Sequence, residues 1–300
     1  ETKLDAYHVG FVLAPRLNAA GRIGHAAEAV ELLTTDEPAR AREIATFLNE
    51  RNTERQAIER RITDEAVGMV AEQGLDGENV RAIVLAREGW HAGVIGIVCS
   101  RLVDRFHRPA ALIAIHDDGL GQGSCRSIPG FHIAEALEAC GEHLPSFGGH
   151  EMAGGFRVQR EDIEAFVEAF LAHAATAIQP EQLRPALHID AEARLASLDY
   201  NTVDQLERMA PFGQGNPRPV VAIRGCQLLR PAKRMGKTGG HVSMVLGHNG
   251  TRMRAIGFGM GDLADALAAV RHVDVAGKPV LNTFNGRTNV ELHLTDVVWE

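Results

Sequence analysis

The pattern of apolar and polar positions changes twice along the chain. Residues 1–35 hold short apolar runs broken by small residues, centred on FVLAPRLNAAGRIG. There Pro15 interrupts a strand or helix, and Gly21 and Gly24 permit close backbone approach. A long helix is expected next. Asp36 suits its cap, Pro38 its first turn, and Ile44, Leu48, Arg55, Ile58, Ile62 and Ala66 recur at spacings of three, four or seven. The rest of its surface, including Glu50, Arg51, Glu54, Glu59, Arg60 and Arg61, is densely charged with mixed signs. Such a helix buries one side only, as a connector between domains or a lone bundle helix would.

Residues 80–178 then alternate in type. VRAIVLA, RPAALIAIH and MAGGFRV read as strands, and GVIGIVCSRLVDRF, IPGFHIAEALEACGEHL and EDIEAFVEAFLAHAAT as helices, which is α/β construction. Beyond residue 183 the pattern becomes β. LHIDAEA, PVVAIRGCQLL, HVSMVLG, MRAIGF, VDVAGKPVL and NVELHLTDVV are expected strands, and NTVDQLERM is one short helix capped by Asn201 or Thr202. About five antiparallel strands and a helix fit an all-β OB-fold barrel, with a small sandwich as the alternative. The expected boundaries are a first piece at 1–36, a connector helix at 37–74, an α/β domain at 75–180 and the barrel at 181–300, with Pro180 and Pro185 bracketing the last junction.

Composition is that of a globular protein: 45% hydrophobic and 23% charged over 300 residues. No apolar run approaches the roughly 18 residues of a membrane span. The start, ETKLDAYHVG, has neither an initiator Met nor a signal-peptide layout, so the chain is expected to be the interior of a longer protein. Cys99, Cys125, Cys140 and Cys226 are widely spaced and form no CxxC pair, as expected of scattered intracellular thiols and a cytoplasmic location. The net charge of -8 argues against a nucleic-acid partner on average. The layout argues otherwise. No Asp or Glu occurs from Arg208 to Gly261, a stretch carrying Arg218, Arg224, Arg230, Lys233, Arg234, Lys237, Arg252 and Arg254. It is expected to present a local positive field, with a ligand-free solvated face as the alternative.

Three clusters carry candidate chemistry. In GQGSCRSIPGFHIAEAL, Ser124, Arg126 and Ser127 precede a helix whose start favours anions, and Arg126 adds a bidentate grip on phosphate. The alternative has Ser127 capping that helix and Arg126 paired with a surface acid. In FGGHEMAGG, His150 follows two glycines, and in EGWHAGVIG, His91 sits near a helix start beside Trp90. These histidines are candidate ligand donors; Trp90 either stacks on a base or anchors the core. Arg16, Asn18 and Arg22 in LAPRLNAAGRIG are able to clamp phosphates or to bond between domains. Aromatics are scarce near the basic stretch, with Phe212, Phe258, Phe284 and Trp299 the main ones, so phosphate contact is expected to dominate affinity there. No HExxH, Walker loop, paired-cysteine zinc spacing or serine nucleophile elbow occurs, and Asp117 and Asp118 lack partner ligands.

In family order, AYHVGFVLAPRLNAAGRIG, EGWHAGVIGIVCSRL, GSCRSIPGFHIAEAL, FGGHEMAGGF, MAPFGQGNPRPV, and AIGFG followed by FNGR resemble the RecJ single-stranded-DNA exonucleases of the DHH phosphoesterase superfamily. FGGHEMAGG alone would indicate only the DHH-associated domain; the FGQGNPRP loop and basic barrel narrow the resemblance. It implies 5′-to-3′ hydrolysis of single-stranded DNA with Mn²⁺ or Mg²⁺, the metal ligands lying in a DHH domain upstream of Glu1 and none in this chain. It makes 1–36 the tail of that domain, 37–74 the connector, 75–180 the DHH-associated domain and 181–300 the OB domain. Ser124 and Arg126 then fall where the family binds DNA phosphates near the cut end, His150 in its GGH motif, and Arg16, Asn18 and Arg22 in the segment bordering its cleft. Single-stranded DNA is the implied partner, a single-strand-binding protein and a helicase are candidates, and a monomer is expected. A small-substrate DHH phosphoesterase and a non-enzymatic single-strand-binding module are the competing readings.

Overall fold

The computed structural model describes residues 4–299. Two compact units divide the chain at Ala186 and Leu187.

The first unit begins with helix rather than strand. A π-helical turn at His8–Leu13 runs into α1 (Ala14–Ile23), which tolerates Pro15 in its first turn because the missing N–H would be unpaired there. α2 (Ala27–Thr34) follows. α3 spans Pro38–Glu72, 35 residues and so roughly 50 Å long. Asp36 is not its cap. Glu37 holds that position with no side-chain bond, and Pro38 supplies the fixed φ of the first turn. The buried stripe of α3 is Ile44, Leu48, Asn52, Arg55, Glu59, Ile62, Ala66 and Val70, every step three or four residues. Its apolar ends anchor the helix, each fully buried Ile or Leu contributing about 1.5–3 kcal/mol. Its middle is polar.

A five-stranded sheet follows. It contains β1 (Ile83–Glu88), then after α4 (Ala92–Phe106) β2 (Ala110–Ile115) and β3 (Leu120–Arg126). After α5 (Ile133–Ala139) come β4 (Ser146–Gly149) and β5 (Ala153–Gln159), and α6 (Ile163–Ala177) closes the unit. The order is β1-β2-β3-β5-β4, with β1 and β2 parallel and the other pairs antiparallel. One core lies between the sheet and α5 and α6, and includes Phe131, Phe156, Phe166 and Phe170. The other joins α3 and α4 to β1 and β2 through Ile62, Val94, Ile95, Leu102 and Leu112. Two strands differ from the sequence reading. LGQGSCR and SFGG have no apolar alternation, yet they form β3 and β4. The helix expected across IPGFHIAEALEACGEHL contracts to α5 and a 3₁₀ turn at Gly141–His143, and His132 caps it.

The second unit contains β6 (Ala191–Glu192), α7 (Tyr200–Glu207), β7 (Val221–Leu228), β8 (Lys233–Met235), β9 (His241–His248), β10 (Thr251–Gly257), α8 (Leu263–Ala266), β11 (His272–Phe284) and β12 (Arg287–Val298). The sheet order β6-β7-β11-β12-β10-β9-β8 closes on itself where Gln227 and Leu228 of β7 pair with Gly247 and Leu246 of β9. β10 and β12 run parallel inside this otherwise largely antiparallel barrel, the arrangement of an OB fold. Ile223, Val242, Met244, Leu246, Leu292 and Leu294 fill it. Asp199, rather than Asn201 or Thr202, caps α7: its Oδ1 accepts from Thr202 N at 2.8 Å. Among the described residues no helix is long and apolar enough to cross a membrane, and all four cysteines are free and buried.

Candidate nucleic-acid interface

The polar middle of α3 is the foundation of the site in the first unit. Arg55 donates to Asn52 Oδ1 (3.2 and 3.3 Å) and to Glu59 Oε2, and Arg101 of α4 donates to Glu59 Oε1 at 3.1 Å. Both oxygens of the one carboxylate are thus committed. Arg22, in the last turn of α1, donates to Gly93 O at 3.2 Å. Burial, then the charges of Arg55 and Arg126, push its pKa down, with Glu59 opposing. Arg126 donates to Cys125 O (2.7 Å) and Ser124 Oγ (3.4 Å). Among the described residues neither Arg22 nor Arg126 has a carboxylate partner. Two neighbouring guanidiniums therefore share a partly buried pocket of positive potential, and an anion is the group that would relieve it.

Two glycines of α4 make that proximity possible. A Cβ at Gly93 would lie 2.0 Å from Arg22 O, and one at Gly96 would lie 2.9 Å from Ser124 Oγ and 3.2 Å from Arg126 Nη2. His91 caps the same helix, its Nδ1 accepting from Gly93 N at 3.1 Å, which leaves Nε2–H to donate. The helix start thus adds its own positive end to the two guanidiniums.

The sheet extends this site. Residues directly opposite in antiparallel strands point to the same face. Ser124 is in register with Gly155, and Gly155 with Gly148; Arg126 is in register with Ala153, whose carbonyl accepts from His150 N at 2.8 Å. α4 packs against β2 and β3, while Gly148, His150, Gly155 and Arg157 are exposed. The result is a floor of bare backbone bordered by Ser124, Arg126, His150 and Arg157, where a phosphodiester chain can lie close. Arg157 gave no sequence signal as a site residue, whereas the glycines of FGGHEMAGG stood out in the sequence as points of close backbone approach. The signal for Asn52 and Glu59 was present, because both continue the i, i+3/i+4 spacing of the buried stripe.

Several expected contacts have other partners. Trp90 is a core residue, 5% exposed, with Nε1 donating to Glu65 Oε2 at 2.8 Å, so its faces are not available to a base. Ser127 is buried and its hydroxyl donates to Phe131 O at 2.6 Å, bracing a turn rather than meeting phosphate or capping a helix. Arg16 spans α1 and α3, donating to Val12 O (2.6 Å) and Asn49 Oδ1 (3.1 Å). Asn18 is exposed on α1.

In the barrel, the acid-free stretch is less positive than its sequence, because acids from outside it fold back onto its arginines. Glu207 chelates Arg218, Glu192 pairs with Arg224, Asp262 and Asp265 hold Arg234, and Glu291 pairs with Arg254. Arg218 also stacks on Phe212, 4.4 Å from the ring centre, and braces the 209–219 loop, where Asn216 Nδ2 donates to Met209 O and Pro211 O. Arg218 and Arg234 are therefore structural cations first. Arg230, Lys233, Lys237 and Arg252 are exposed and, among the described residues, have no ion pair. No group of three or more His, Cys, Asp or Glu among the described residues is placed to hold a metal ion, so these residues do not fit a divalent-cation site.

An arginine-lined α/β unit, followed along the chain by a closed β barrel, defines a DHH-associated domain followed by an OB domain. Residues 56–176 match the DHHA1 domain family and residues 189–296 the RecJ OB domain family. The chain belongs to the RecJ family. It is 36% identical to the single-stranded-DNA-specific exonuclease RecJ of Bacillus subtilis over 96% of its own length and 36% of that protein's. It resembles Thermus thermophilus RecJ in complex with Mg²⁺ (TM-score 0.83, 32% identity, 98% of this chain and 44% of the other) and with Mn²⁺ (0.84, 31%, 99% and 42%). The chain spans 36% to 52% of the length of the curated relatives it matches.

Proposed function

We propose that this chain is the substrate-binding portion of a metal-dependent 5′-to-3′ single-stranded-DNA exonuclease. Arg22 and Arg126 receive the phosphates at the strand end, and the barrel guides the strand behind it. The observation that carries this reading is the pair of guanidiniums without carboxylates, beside the His91-capped start of α4 and a glycine floor. Ser124 and His150 border the same floor and donate to phosphate oxygens. Arg157, Lys233, Lys237 and Arg252 add charge along the path of the backbone.

The chemistry belongs to the whole protein. Mn²⁺ or Mg²⁺, held by ligands of a DHH domain, would supply an activated water there, and no step of that reaction is assigned to the residues described here. The first unit leaves Tyr7, Val9, Phe11, Leu13, Val30 and Leu33 exposed. An apolar surface of that kind calls for a covering partner, and the DHH domain is the one this reading supplies. The protein works in the cytoplasm as a monomer, with a single-strand-binding protein and a helicase as candidate partners. The test is Arg126→Ala in the full-length enzyme. A lower kcat/KM on a 5′-phosphorylated strand is expected, and an unchanged value contradicts the role.

A further inference from the structure

A second site lies on the outside of the barrel. Leu292 and Leu294 of β12 point into the core, so alternation turns Glu291 and His293 outward. Glu291 is nevertheless only 5% exposed, and α7 packs against β11 and β12 on this side. Beside it is a cleft of about 410 Å³, lined among others by Arg218, Phe258, Asn282, Glu291 and His293. Glu291 Oε1 accepts from Arg254 Nη1 at 3.0 Å, whereas Oε2 is buried without a hydrogen-bond partner. A buried carboxylate oxygen left in that state is costly, and the remedy is a donor. Phe258 supplies the other half of a recognition site. It is 54% exposed, and its ring makes T-shaped contacts with His241 (5.4 Å) and His293 (5.1 Å).

We propose that this cleft is a nucleobase pocket in which Phe258 stacks on one base of the strand and Glu291 Oε2 accepts from its exocyclic amine. Cytosine N4–H₂ is such a donor, and acidic side chains read it in this way. Thymine offers O4 at the same position and meets the carboxylate with a second acceptor. Aromatic stacking tolerates either base, so Phe258 sets affinity and Glu291 sets preference. The proposal rests on the strand-binding reading above, and it adds a base preference to what is otherwise a grip on phosphate.

The test compares the full chain's affinity for oligo(dC) and oligo(dT) of equal length by fluorescence anisotropy at neutral pH. The unaltered protein is expected to bind oligo(dC) about three- to tenfold more tightly. Glu291→Gln, which replaces the acceptor with a donor at one position, is expected to abolish that preference. Phe258→Ala is expected to weaken both oligonucleotides by a similar factor, and its exposed site leaves the core intact. Thermal melting identifies a Glu291→Gln protein that has lost its fold; the comparison in the unaltered chain does not depend on it. Equal affinity for the two oligonucleotides overturns the pocket while leaving strand binding in place. Failure to bind either one removes the strand-binding reading and the pocket together.

Discussion

Four arginines of the barrel and two of the α/β unit contrast in the partners that the fold gives them. In the barrel, Arg218, Arg224, Arg234 and Arg254 each meet a carboxylate distant in sequence. In the α/β unit, Glu59 is spent on Arg55 and Arg101, and Arg22 and Arg126 are left together without one. The lesson is that density of positive charge along a sequence is a poor guide to an anion site. What matters is which charges the fold leaves uncompensated, and in how desolvated a place. The α/β unit therefore offers a focused phosphate site, while the barrel offers a dispersed one from surface cations such as Arg230, Lys233, Lys237 and Arg252, which have no ion pair among the described residues.

The largest effect that would break this contrast is Glu59→Ala. It strands a buried Arg55, whose side chain is 10% exposed. About 3–5 kcal/mol of stability should be lost, read from urea unfolding. Next comes Arg22→Ala, which removes one of the two paired guanidiniums. Affinity for a 5′-phosphorylated strand should fall about tenfold or more, as for loss of a charge-assisted hydrogen bond worth ~1.5–3 kcal/mol. A titration showing no change would make Arg22 purely structural. Smaller again are the barrel cations. Lys233→Ala or Arg252→Ala should each reduce the logarithmic salt slope of strand binding by about 0.7, whereas Arg224→Ala, already paired with Glu192, should leave it nearly unchanged. Equal slopes for all three variants would erase the distinction between paired and unpaired arginines.

The smallest expected effect is on acid stability. Burial lowers the pKa of His293 from 6.5, Glu291 raises it and Arg218 lowers it further, the net being downward. The unfolded chain takes up this proton first. Stability is therefore fully present above about pH 6.5 and is lost as the pH falls below it. His293→Gln should flatten that part of the pH–stability curve, as followed by thermal melting.

Much of the fold was legible because burial imposes periodicity. VRAIVLA, RPAALIAIH and the helices around them are buried on one or both faces, and their apolar spacing says so. β3 and β4 were not legible, since LGQGSCR and SFGG serve as a backbone floor and have little apolar surface to bury. The glycines of FGGHEMAGG were legible as points of close approach, but their pairing with β3, which sets Gly155 opposite Ser124, was not. Arg126, Ser124, Arg22, His91 and His150 were singled out from the sequence, and the fold brings Arg22, Ser124, Arg126 and His91 to one end of α4. Trp90 takes the core-anchor alternative and Ser127 neither of its two, because local sequence does not reveal that Glu65 and the Phe131 carbonyl already occupy their polar atoms. The acid-free stretch misled for a related reason, its counter-charges arriving from Glu192, Glu207, Asp262, Asp265 and Glu291.

The most direct test of a focused phosphate site in one unit and a dispersed one in the other is a single comparison. The affinity of the unaltered chain is measured for one strand carrying either a 5′-phosphate or a 5′-hydroxyl, at several salt concentrations. The account predicts tighter binding of the phosphorylated end, with a preference that Arg126→Ala removes while the barrel's share of the salt slope persists. Equal affinity for the two ends at every salt concentration would contradict it.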